Sequence, residues 1–227
     1  MLHQLLDLYR SLTNPDTLGQ LVSNSPHMWV VYVALFLIVF AESGLLVGFF
    51  LPGDSLLFTV GIVAGAGKLQ ISAIIAALAF ASILGDGIGF LLGSTLGYRL
   101  FQNSRSKIFR REYLDRTHAF YEKHGGKTII YAKFVPIIRT FAAFIAGVGK
   151  MHYSRFLTFN VVGAAGWVTS MICLGYALGN IPVVRQHFEK VVLLIIAVSL
   201  LPVLLQVLGS RKKSGVAQPV AAPPLRD

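Results

Sequence analysis

Residues 128–149 read Thr128-Ile129-Ile130-Tyr131-Ala132-Lys133-Phe134-Val135-Pro136-Ile137-Ile138-Arg139-Thr140-Phe141-Ala142-Ala143-Phe144-Ile145-Ala146-Gly147-Val148-Gly149. The stretch is apolar, yet Pro136 cuts it and Lys133 and Arg139 flank the cut. A helix that crosses a bilayer needs about 20 apolar residues. The arms Thr128–Val135 and Thr140–Val148 are far shorter. Proline removes a helical hydrogen bond and pushes the preceding residue toward extended backbone. Arms this short can enter and leave on one face but cannot cross. The stretch therefore reads as a re-entrant helical hairpin. Irregular backbone at membrane depth is tolerated only where protein or water surrounds it.

A second apolar stretch, Met28–Gly67, has the same character. It is interrupted at Gly44, at Gly48 and at Leu51-Pro52-Gly53-Asp54. Its second arm, Ser55–Ala66, rises only ~18 Å at 1.5 Å per residue, roughly half the hydrocarbon core. This also reads as a re-entrant hairpin, although Met28–Phe50 alone is long enough to span. Ile71–Leu100, Arg155–Gly179 and Val191–Leu208 are further apolar runs. The chain of 227 residues is 55% hydrophobic and 13% charged, with mean hydropathy +0.67, which is a membrane composition. The expected fold is all-α: a polytopic membrane protein with inverted repeats, two re-entrant helical hairpins and amphipathic interfacial helices.

The net charge of +10 does not indicate nucleic-acid binding, because the bases cluster beside apolar runs. Eight Lys/Arg lie in Arg99–Lys127, and Arg211, Lys212 and Lys213 open the tail. The positive-inside rule puts both segments in the cytoplasm. Arg110 and Arg111 with their neighbours suit anionic lipid headgroups. A re-entrant Thr128–Gly149 keeps Lys150 and Arg155 inside, so Arg155–Gly179 runs outward and Val191–Leu208 returns. Met1–Ser23 carries an apolar stripe up to Leu12, broken at Asn14-Pro15, and suits an interfacial helix. No signal peptide is visible. One membrane domain, residues 1–210, precedes a basic and Pro-rich tail, 211–227, that reads as disordered.

An internal repeat runs through this domain. Ala64-Gly65-Ala66-Gly67-Lys68-Leu69 matches Ala146-Gly147-Val148-Gly149-Lys150-Met151, and Gly89-Phe90-Leu91-Leu92-Gly93 matches Gly175-Tyr176-Ala177-Leu178-Gly179. A proline hairpin precedes the first motif in each half. An amphipathic candidate, the N-terminal segment or Ile108–Lys123, precedes each hairpin. The halves, about 1–100 and 106–180, are followed by a last helix at 190–209. They have opposite orientation under the charge assignment. Inverted repeats with broken helices mark secondary transporters.

Five charges sit inside these apolar stretches: Glu42, Asp54, Asp86, Lys133 and Arg139. Each costs roughly 3 kcal/mol at the bilayer centre, so five facing lipid would cost on the order of 15 kcal/mol. They must pair with one another or line a wet cavity. Glu42 lies deep in its run, and a buried carboxylate suits uptake and release of protons or a cation. It can instead bond a hydroxyl such as Ser43. Asp54, between Gly53 and Ser55, can cap a helix. Lys133 and Arg139 can snorkel to the cytoplasmic face. Alternatively, Arg139 at a broken helix offers a planar fork suited to phosphate. Asp86 lies among Gly85, Gly87, Gly89 and Gly93, where helices pack closely, and reads as a bond across that contact. Asn160 and Trp167 read as packing residues. The six histidines lie outside the apolar runs without ligand spacing, so no metal and no cofactor are expected. Cys173 is the single cysteine, which excludes an intrachain disulfide. No nucleophile or metal cluster suited to lipid hydrolysis is visible, so an enzyme is not expected.

On these residues the sequence resembles the DedA family of bacterial inner-membrane proteins, part of a superfamily that includes lipid scramblases. The resemblance covers about Val30–Gly179. It rests on Glu42 with Pro52-Gly53-Asp54, on Gly85-Asp86 through Gly93, on Phe134-Val135-Pro136-Ile137-Ile138-Arg139 leading to Ala146-Gly147, and on Asn160 through Trp167. It implies two acids and two arginines on facing hairpins. Glu42, Asp54 and Arg139 match three of these positions, and Lys133 stands at the fourth, where the charge is kept but the fork is lost. It further implies a flippase returning polyprenyl phosphate, chiefly undecaprenyl phosphate, across the inner membrane with the proton motive force. The headgroup or another phospholipid would be the partner, along with protons. The rival expectation is a proton-coupled small-ion or drug antiporter using the same acids.

Overall fold

The computed structural model describes residues 14–44, 53–97, 126–179 and 181. Pro52 and the rest of 45–52 fall outside the described residues. So do most of the basic segment with Ile108–Lys123, the last helix and the tail.

The first described helix, α1 (Pro15–Asn24), starts where the sequence suggested a break. The Asp16 and Thr17 amides donate to the Asn14 side chain at 2.9 and 3.3 Å. Pro15 sits in the first turn, where its missing N–H is not needed. Asn-Pro therefore opens a helix here. α1 buries Leu18 and Val22 in the core, and Lys68 donates to the Gly19 carbonyl at 2.9 Å.

Next come α2 (Met28–Gly44), α3 (Gly53–Gly65) and α4 (Ile71–Leu92), which continues into a π-helical turn, Gly93–Gly97. α5 (Lys127–Lys133) and α6 (Pro136–Val148) follow, broken at Phe134-Val135, and then α7 (Tyr153–Leu178). Two helical stretches, Ile71–Leu96 and Tyr153–Leu178, are each 26 residues and apolar enough to cross a membrane. At 13 residues, α3 and α6 each rise only ~20 Å. α4 buries Ile74 and Leu78 yet exposes Phe80, Leu84, Ile88 and Leu91. A helix apolar on every side fits lipid on one face and protein on the other.

α2 packs along α4, α3 along α7, and α6 against α4 and its π turn. Glycine sets how close these pairs come. A methyl group at Gly61 would sit 2.2 Å from the Ile172 carbonyl oxygen, and one at Gly175 2.1 Å from that of Phe58. On the other side, a methyl at Gly147 would sit 2.1 Å from the Phe90 carbonyl oxygen. Small residues replace the hydrophobic driving force that lipid-embedded helices lack.

α3 and α6 end in the same turn. The Lys68 amide reaches the Val63 carbonyl and Gly67 that of Ala64; Met151 reaches Ala146 and Lys150 reaches Gly147. The left-handed residue is Gly67 at φ 76° in one turn and Lys150 at φ 52° in the other. The turns are thus one residue out of register with the sequence match, which had paired Lys68 with Lys150.

Candidate functional site

Four helices bring their polar residues to one place. Glu42 lies near the C-terminal end of α2, Asp54 in the first turn of α3, Arg139 in the first turn of α6, and Trp167 midway along α7. An acid in the first turn of α3 lies at the positive end of that helix dipole. The Arg139 fork is divided between two carboxylates. Its Nη2 donates to Glu42 Oε1 at 2.6 Å and its Nη1 to Asp54 Oδ1 at 2.7 Å. The Arg139 and Glu42 side chains are 5% and 1% exposed, and Asp54 is 11% exposed, so the site opens most at Asp54. Trp167 donates its Nε1–H to the same Asp54 oxygen at 2.8 Å, and the guanidinium carbon lies 4.2 Å from its ring centroid.

Gly53 makes room for this arrangement. A methyl group there would sit 1.8 Å from Glu42 Oε2 and 2.1 Å from Oε1. Gly53→Ala should therefore force Glu42 away from Arg139. We expect a protein that is less stable by roughly 1.5–3 kcal/mol, the contribution of one charge-assisted hydrogen bond. Thermal midpoints of the two proteins in the same detergent check this.

Lys133 and Asp86 form a second pair. The Lys133 ammonium donates to Asp86 Oδ2 and, at 3.0 Å, to Ser82 Oγ; both partners lie on α4. Ser43 Oγ donates to Ser82 Oγ at 3.2 Å, so the hydroxyl beside Glu42 serves α4 and not the carboxylate. Asp86 lies in the glycine-rich stretch of α4, and its bond crosses to the end of α5. Asn160, on α7, donates to the Ile83 carbonyl at 3.3 Å. Glu42 Oε2, Asp86 Oδ1 and Asn160 Oδ1 are buried without a hydrogen-bond partner among the described residues. Asp86, Lys133, Arg139 and Asn160 line one narrow crevice without room for a water molecule.

The structure thus gathers Glu42, Asp54, Arg139 and Trp167 into one cluster and Lys133, Asp86 and Ser82 into a neighbouring one. Gly53 borders the first, and α6 begins at Pro136. Ser82 was not singled out in the sequence. The signal was there: it precedes Asp86 by four residues and so shares its helix face. Three acids against two bases leave the combined clusters with one formal negative charge.

The VTT domain is matched over residues 51–177. The chain is 47% identical over 192 residues to protein DedA of Escherichia coli strain K12, covering 84% of this chain and 87% of that protein. It is 44% identical over 192 residues to the uncharacterized membrane protein ML0287 of Mycobacterium leprae, covering 84% and 86%. It is 35% identical over 202 residues to the inner membrane protein YqjA of Escherichia coli strain K12, covering 88% and 86%. No solved structure matches.

Proposed function

The chain belongs to the DedA family of membrane proteins, which carry the VTT domain, and from that premise we propose that it translocates a polyprenyl phosphate across the bacterial inner membrane. The observation that carries the reading is the divided fork of Arg139, held by carboxylates from two different helices. A phosphate offers two oxygens to such a fork at once, which neither acid does here. The headgroup displaces the acids, crosses with its charge partly offset by Arg139, and is released when the acids return. Its long apolar tail stays in lipid throughout. Lys133 lines the same crevice and adds a second cation once it leaves Asp86. The cycle returns undecaprenyl phosphate to the cytoplasmic leaflet and draws on the proton motive force through Glu42 and Asp54.

This reading includes two re-entrant hairpins in an inverted repeat. The short arms α3 and α6, with their matching terminal turns, support it. So does a reciprocal contact. The sequence match pairs Gly65 with Gly147 and Phe90 with Tyr176. A methyl at Gly65 would sit 3.1 Å from the Tyr176 carbonyl oxygen, and one at Gly147 2.1 Å from that of Phe90. Each half seats its hairpin arm on the spanning helix of the other. The tail is then cytoplasmic.

A proton-coupled antiporter of small ions is the second reading. The surplus negative charge and the unpartnered Glu42 Oε2 and Asp86 Oδ1 favour it. One experiment separates the two. Protein in liposomes receives labelled undecaprenyl phosphate, and an impermeant phosphatase reports how much headgroup remains outside. We expect the accessible fraction to fall faster with protein than without. Ion-driven pH change in vesicles free of prenyl lipid, with no lipid movement, would favour the antiporter instead.

A further inference from the structure

The two acids on Arg139 are not equivalent, and the difference lies in Trp167. Among the described residues, Glu42 finds its hydrogen-bond partner in Arg139, and its Oε2 finds none. Asp54 Oδ1 receives two donors, Arg139 Nη1 at 2.7 Å and the Trp167 indole N–H at 2.8 Å. When an anionic headgroup draws the guanidinium away, Glu42 loses its partner, whereas Asp54 keeps one. The same indole ring lies 4.2 Å from the guanidinium carbon and 6.0 Å from the Lys133 ammonium. Trp167 is fully buried and sits on a helix packed against both α3 and α5, so it cannot follow the guanidinium out.

We infer that Trp167 is a positioning residue of the anion site: it holds Asp54 in place and hydrogen-bonded while Arg139 engages a phosphate, and its ring face is the seat to which Arg139 returns. This rests on the transport reading above and assigns a role within it. A side chain that merely packed would need neither the N–H on Asp54 nor the cation on its face. The role predicts that losing the N–H weakens the loaded state more than the resting one. In the resting state Arg139 still holds Asp54; in the loaded state nothing described does.

Trp167 also reports on its own site. The chain has two tryptophans, and the other, Trp29, is 65% exposed and far along α2 from Glu42. Full-length protein carrying Trp29→Phe should transport normally and emit from Trp167 alone. Farnesyl phosphate added in detergent should change that emission saturably, as the cation leaves the ring. Farnesol should not, and inorganic phosphate tests whether the headgroup suffices. The change should vanish in Arg139→Gln. In proteoliposomes, Trp167→Phe should raise the lipid concentration giving half-maximal rate about ten-fold while changing the maximal rate less. Benzothienylalanine at position 167 keeps the bicyclic shape and removes only the N–H, so it should behave like the Phe variant even if Phe folds poorly. Unchanged half-saturation in that variant, or silent Trp167 emission in a protein that transports through Arg139, overturns the assignment and spares the transport reading. A saturable emission change without any lipid movement overturns the transport reading and leaves the anion site standing. Silence with no transport overturns both.

Discussion

Arg139→Ala is expected to abolish headgroup translocation, by about 100-fold or more. The magnitude follows from what the side chain does. Its two Nη groups hold the buried Glu42 carboxylate at 2.6 Å and the half-buried Asp54 carboxylate at 2.7 Å. Without the fork a phosphate loses a bidentate, charge-assisted partner, and two such bonds at roughly 1.5–3 kcal/mol each exceed a hundred-fold. The same change strips both acids of their cation. Removing one partner of a buried ion pair costs about 3–5 kcal/mol, so the single variant should also lose thermal stability in detergent. Folding and function can be separated. In the triple variant Glu42→Gln, Asp54→Asn, Arg139→Ala no uncompensated charge remains in this cluster. It should melt near the wild-type temperature and still transport nothing. Transport retained by the triple variant would remove Arg139 from the mechanism.

The second large effect concerns Lys133 and Asp86. Both side chains are sealed, at 4% and 1% exposed, and they pair with each other. Lys133→Met leaves Asp86 charged and alone, and Asp86→Leu leaves Lys133 so. Each should destabilise by about 3–5 kcal/mol, whereas the double variant should return to within about 1 kcal/mol of the native protein. That non-additivity, read from thermal midpoints of the four proteins, is the signature of a buried pair. Transport is the discriminating measurement. If Lys133 meets the headgroup once the crevice it shares with Arg139 opens, the double variant should still transport at least about ten-fold more slowly. Full transport would make the pair a joint between α4 and α5 and nothing more.

The five charges fall into two clusters of different build. Arg139 is shared among acids on two separate helices, while Lys133 is bonded to an acid and a hydroxyl on one helix.

Much of the site was legible in the chain. Charges in apolar stretches must meet one another, because lipid will not solvate them. That cost marks Glu42, Asp54, Asp86, Lys133 and Arg139 from the sequence alone. Helix-breaking residues and arm lengths marked the places where α5 gives way to α6 and where α3 begins. Asn14-Pro15 was legible too, but as punctuation only. Whether such a pair ends a helix or opens one depends on which side offers amides to the asparagine, and that is a local geometry.

Sequence by itself determined an all-helical membrane protein, the residues bearing charge within it and the necessity that they pair. Those follow from composition, from 1.5 Å of rise per residue and from the cost of a bare charge in hydrocarbon. Only the tertiary structure decided who pairs with whom. Asp86 and Asp54 are both acids beside glycine in apolar stretches, and nothing local to either says that one takes Lys133 and the other Arg139. That choice depends on the spacing between helices, set by glycine contacts such as Gly61 with Ile172 and Gly147 with Phe90. It also gave Trp167 its place, since an indole N–H finds a carboxylate from another helix only when the backbones come that close.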